Sequence, residues 1–195
     1  TMFFGLISYF MVSPVSQTYQ IDLGIPSAVA VSAVMLGSIV NAGARLVLPT
    51  LADKVGRIVC IKGVLIVAVI AMGVLAVSRS LAVTVAVVLM YGCYGGIMGS
   101  FPSLTSSIFG MKHTGENYGF VMFGIVFATF GAPAISGLVS SNGYEMNVVF
   151  GIGAVFAVIA FVCLTLLGRN LVKEHAEKSV GAKKGTAQVR KPQAE

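Results

Sequence analysis

The sequence predicts an all-α membrane protein of six transmembrane helices followed by a basic tail. Three observations lead there. Of 195 residues, 56% are apolar and only 10% are Asp, Glu, Lys or Arg, against about 25% charged in a typical soluble domain. The charges are segregated: residues 1–21, 23–44, 80–111, 117–144 and 146–168 carry none. The apolar runs also lack the alternation of strands. The stretch 64–77 is apolar on every face, which fits a helix in lipid better than a barrel strand. Thirteen cations and seven anions cannot clothe a soluble surface, so a water-soluble enzyme, a disordered chain and a nucleic-acid-binding domain are all excluded as classes.

A bilayer core about 30 Å thick takes roughly 20 residues of helix. The first span is expected over about 2–19, with Ser13, Ser16 and Gln17 near its outer end as helix–helix hydrogen-bonding groups. The second covers about 26–50 and contains Arg45, and a tight turn at 53–57 leads out of it. The third covers 58–77. The fourth, 81–102, carries Gly92, Gly95, Gly96 and Gly99, whose pairs four residues apart allow a neighbouring helix to come close. It also carries Tyr91, Tyr94, Met98 and Phe101 on a helical stripe, which can pack or can line a cavity. The fifth, 117–139, has Pro133 between Gly131 and Gly137, where a bend is expected. The sixth is 146–168. Residues 1–168 thus form one membrane domain. The remainder, 169–195, holds seven cations and three anions and no apolar period. That composition predicts a solvated, disordered tail, with attraction to anionic lipid headgroups as a second reading.

Alternate connections fall on opposite faces. One face carries Lys54, Arg57, Lys62, Lys112 and the seven tail cations, and the other carries only Arg79. This bias places both ends of the chain in the cytoplasm. The pI of 9.4 therefore reports topology and tail, and no nucleic-acid partner is expected. Cys60, Cys93 and Cys163 lack paired spacing and His113 and His175 lie in a loop and the tail, so neither metal nor cofactor is expected. The chain opens on Thr1 inside an apolar run with no basic leader, and it is expected to be the rear part of a longer protein.

The thirteenth cation, Arg45, lies inside a span, where insertion costs about 2.5–3.5 kcal/mol. It either snorkels to the interface, pairs with a carboxylate for structure, or binds an anion. Ser38, Asn41 and Arg45 share one helical face, and a guanidinium fork matches a carboxylate. Asn41, Tyr91 and Tyr94 are the candidate neighbours of a bound acid.

The string Pro49-Thr-Leu-Ala-Asp53-Lys54-Val-Gly56-Arg57 resembles the signature loop of the major facilitator superfamily. Leu51, Asp53, Lys54, Gly56 and Arg57 match it, while Pro49 and Ile58 depart from it. The resemblance implies one six-helix half of a twelve-helix alternating-access carrier, the C-terminal half, with Asp53, Lys54, Gly56 and Arg57 as a conformational gate. A first half followed by a basic central loop is the other reading. The series Tyr94-Gly-Gly96, Phe101-Pro102, Phe109-Gly110 and Asn117-Tyr118-Gly119 resembles the oxalate/formate antiporter-like family, and Asn41-x-x-x-Arg45 resembles monocarboxylate porters too. Together these imply secondary transport of small carboxylates. Oxalate-type members carry a second cation in the helix after Asn-Tyr-Gly, where this chain has Ile125. Proton-coupled monocarboxylate porters have Asp where it has Asn41. One cation and no buried acid point to a monocarboxylate. The expected partners are therefore a small carboxylate, the lipid bilayer and an N-terminal six-helix half. A transporter fold that binds without transporting is the alternative from another class, and no enzyme-like constellation lies at membrane depth.

Overall fold

The computed structural model describes the backbone of residues 1–189 and side chains as far as Leu171. It is helical, with no strand among the described residues: α1 (Met2–Val12), α2 (Ser16–Asp22), α3 (Ser27–Val55), α4 (Arg57–Val77), α5 (Ala82–Phe109), α6 (Thr114–Ser141) and α7 (Met146–Val189). Five of these, α3 to α7, are long and apolar enough to cross a membrane.

The first span departs from expectation: it is two helices, α1 and α2, broken at 13–15. Pro14 is the cause, because it has no N–H to donate and its ring clashes with the carbonyl one turn back. The backbone bridges the break with Ser13 N–H to Tyr9 C=O at 2.8 Å and Val15 N–H to Val12 C=O at 3.2 Å. At about 1.5 Å per residue the pair still covers roughly 31 Å.

Two helices overrun their expected ends. α3 continues through Pro49 to Val55, and α5 continues through Pro102 to Phe109. In each, hydroxyls bond backbone carbonyls beside the proline: Thr50 to Leu46 at 3.0 Å, Thr105 to Phe101 at 2.9 Å, and Ser106 to Pro102 at 2.9 Å. Hydroxyls bonded back in this way, like the prolines themselves, bend a helix without ending it. Asp53 and Lys54, expected in a turn, therefore end α3. The tail expectation also changes. α7 runs as helix past 168 to Val189, through a segment rich in Ala, Glu and Lys, all strong helix formers, with no proline before Pro192. Residues 190–195 of the expected tail lie outside the described residues.

α5 sits at the centre, packed against α3, α4 and α1, while α7 covers α4 and α1 and α6 leans on α1. Leu6, Ile7, Met11, Ile61, Leu65, Met72, Met90, Ile97, Phe150 and Leu164 fill the core with no exposed surface to speak of. α3 and α6 are different. Met35, Ile39, Leu46 and Val47 on α3, and Phe120, Phe127, Phe130 and Leu138 on α6, are all more than 60% exposed.

Candidate functional site

The site is built on the seam between α3 and α5. The two helices run parallel, in register: Gly37 faces Tyr91, Gly95 faces the Asn41 backbone, and Gly99 faces the Arg45 backbone. A Cβ on Gly99 would stand 2.8 Å from the Arg45 carbonyl oxygen and 3.1 Å from Pro49 Cγ, and one on Gly95 would overlap the Asn41 carbonyl. The glycine pairs therefore act as the sequence implies, by bringing two backbones together.

Arg45 projects from α3 into the open, exposed side of the bundle. Its Nε–H donates to Asn41 Oδ1 at 3.1 Å, one turn away on the same helix. Its guanidinium carbon stands 5.5 Å from the Tyr94 ring centroid, a cation–π geometry. Among the described residues no carboxylate pairs with it. The guanidinium is thus oriented from two directions but not neutralised, and its terminal N–H groups remain available.

Of the residues singled out from sequence, Arg45, Asn41 and Tyr94 meet directly. Tyr91 lies one layer behind: it is buried, its ring crosses Gly37, and its hydroxyl is 3.4 Å from Ser16 Oγ. Ser38 does not join the group; its hydroxyl donates to Val34 C=O at 2.9 Å. Tyr9 joins instead, unannounced. Its ring stacks on Tyr94 at 4.1 Å and 11°, meets Tyr91 edge-on at 5.3 Å, and its oxygen accepts from Ser13 Oγ at 3.2 Å. Its spacing of four and seven residues from Ser13 and Ser16 was the available signal, one helical face carrying all three polar groups.

At the far end of α3, Gly56 has φ +107°, a value closed to most side chains, and this turns the chain into α4. Asp53 Oδ1 accepts from Arg57 Nη2 at 3.3 Å across that turn, with the Asp53 side chain largely exposed and that of Arg57 partly so. Lys54 points away, along a shallow hollow with Thr50 and Leu51. A hollow of about 460 Å³ lies against the turn, walled by Asp53, Arg57, Ile58, Ser107 and Ile108. Another of about 410 Å³ between α3, α4 and α5 is walled by Leu48, Val59, Gly63 and Cys93 and offers an anion no charge. On the opposite end, Tyr19 donates to Asn147 Oδ1 at 2.7 Å, and Glu145 takes both Asn147 Nδ2 and Arg79 Nη2. This network ties α2 to α7 and to the α4–α5 connection.

A multi-pass helical bundle with an oriented, unneutralised arginine on its open side has the architecture of a membrane transport protein. Comparison with known proteins makes the class definite. The sequence model of the Major Facilitator Superfamily matches residues 1–125, and the chain belongs to that superfamily. It is 36% identical over 97 residues to the uncharacterized MFS-type transporter YhjX of Escherichia coli (strain K12), covering 49% of this chain and 24% of that protein. It is 26% identical over 155 residues to the oxalate:formate antiporter of Oxalobacter formigenes, covering 78% of this chain and 37% of that protein. The matched region therefore spans well under half the length of either relative.

Proposed function

We propose that the chain is the C-terminal six-helix half of a twelve-helix carrier that moves small organic anions, monocarboxylates above all, by alternating access. The observation that carries the reading is Arg45: one cation at membrane depth, fixed by Asn41 and Tyr94 and without a counter-charge among the described residues. A carboxylate bound at its terminal N–H groups supplies that charge. A single cation balances a single negative charge, which favours a monoanion over a dianion. The relative named as an oxalate:formate antiporter favours the oxalate-type dicarboxylate exchanger as a second reading. That reading needs a further cation from outside this chain, because Ile125 offers none.

The exposed apolar faces of α3 and α6 support a partner of matching kind, the other six-helix half, closing over the open side where Arg45 lies. The Asp53–Arg57 pair is the gate in this reading. Both chain ends lie in the cytoplasm, on the side favoured by the cation bias. Uptake of labelled monocarboxylates and dicarboxylates into vesicles by the full-length carrier tests the reading. Saturable uptake with a preference for monoanions is expected. A clear preference for dianions removes the monocarboxylate assignment, and binding without uptake replaces transport by a receptor role.

A further inference from the structure

We propose that Tyr9 is the positioning residue of the anion site and links it to the break in the first span. The proposal rests on Arg45 as the anion holder. Its ring and its hydroxyl have separate tasks.

The ring fixes Tyr94. Arg45 stands over the Tyr94 ring, and Tyr9 lies flat against that same ring at 4.1 Å. Tyr9 is itself held, being only 9% exposed, with Tyr91 edge-on at 5.3 Å and Phe10 at 5.5 Å. Tyr94 would lose the stack on Tyr9 and the edge contact with Phe10 by changing rotamer, so the platform beneath the guanidinium is set from α1. The hydroxyl faces the other way, toward the helix break. It accepts from Ser13 at 3.2 Å, and the neighbouring Tyr91 hydroxyl is 3.4 Å from Ser16. Ser13 and Ser16 bracket Pro14, where the regular helical hydrogen bonding of the span is interrupted. Both edges of the break are therefore hydrogen-bonded to rings of the site. A carboxylate that draws Arg45 off Tyr94 shifts the Tyr94–Tyr9 stack, and that shift reaches α2 through Ser13.

Affinity and turnover should then separate. The full-length carrier is purified for equilibrium binding of labelled formate, acetate and lactate, and reconstituted for initial rates of uptake. Tyr9→Leu, which removes the ring, should weaken binding roughly fivefold, the size of an aromatic pair's contribution. Tyr9→Phe, which keeps the ring, should bind as the parent does but turn over roughly fivefold more slowly, the size of one hydrogen bond. Ser13→Ala should reproduce Tyr9→Phe. A purely structural Tyr9 would lower the yield of folded protein and leave binding per folded molecule unchanged. Parental binding by Tyr9→Leu, or parental turnover by Tyr9→Phe, overturns the proposal. Arg45→Gln separates the two levels. If it still binds, the anion-site reading itself fails. If it does not bind while Tyr9→Leu does so normally, only the role of Tyr9 fails.

Discussion

Asn41→Asp is the sharpest perturbation of the site, because it changes charge and almost nothing else. The Asn41 oxygen already accepts from Arg45 Nε at 3.1 Å, so a carboxylate of the same shape takes up the same hydrogen bond. It adds a negative charge on one side of the guanidinium while the substrate occupies the other, about 6 Å away. Two unit charges at that distance repel by about 3 kcal/mol at an effective dielectric of 20, or roughly hundredfold in affinity. Water in an open cavity reduces this toward tenfold. The sign with pH follows. Arg45 beside the new carboxyl holds it in the charged form, below the ordinary carboxylate range, so the added charge persists throughout pH 5 to 8. Uptake of a monocarboxylate by the variant, relative to the parent at the same pH, should therefore be depressed across that whole window. Proteoliposome uptake across pH 5 to 8 measures it, with Asn41→Ala separating loss of the hydrogen bond from gain of charge. If Asn41→Asp matches the parent at pH 7, the substrate does not bind beside Asn41.

Three further outcomes follow from the same geometry. Arg45→Gln should reduce uptake at least about hundredfold, since charged hydrogen bonds are the strong ones, while membrane insertion stays intact by fractionation; normal uptake would mean that the anion does not meet Arg45. Gly95→Val drives a side chain into the Asn41 carbonyl and should cost about 1–3 kcal/mol as overpacking, read as a lowered unfolding temperature in detergent and as lost substrate binding; an unchanged temperature would show that the α3–α5 seam is looser than described. Gly56→Ala places a Cβ at φ +107° and should cost about 1–2 kcal/mol, visible as a thermal shift, with the Asp53–Arg57 pair adding little because it is exposed.

The membrane architecture could be read from sequence because it depends on a coarse quantity, the spacing between charges. Where local backbone chemistry decides, that reading missed the result. Pro14 sits in an uncharged polar stretch, Ser13 to Gln20, that the spacing between charges does not register, yet it removes one donor and splits the first span. Pro49 and Pro102 lie near expected ends, yet their helices run on past them to Val55 and Phe109. The tail's composition argued for disorder, while its Ala, Glu and Lys content also favours helix, and the backbone is helical to Val189. At the site, Arg45 with Asn41 was visible because a four-residue spacing on one helix fixes the contact. Tyr9 was only half visible: its spacing from Ser13 and Ser16 gave a shared face, but the rings it meets, Tyr91 and Tyr94, come from another helix, and no periodicity within α1 shows which ring it will meet.

The seam glycines carry more of the site than their chemistry announces. Pro49 has no N–H for the Arg45 carbonyl one turn back, so that carbonyl stays open on the face toward α5. Gly99 fits against it, and Gly95 fits one turn earlier against Asn41. The register that pairs 41 with 95 and 45 with 99 also decides where Tyr94 stands, since Tyr94 adjoins Gly95 and can reach Arg45 only while the two backbones touch. A residue larger than glycine at either position would move the Tyr94 ring away from the guanidinium without altering any polar side chain of the site. Helix packing and anion binding are then one property measured at two levels, and substitutions at Gly95 and Gly99 should lower stability and substrate affinity together, whereas Asn41→Asp should lower affinity alone.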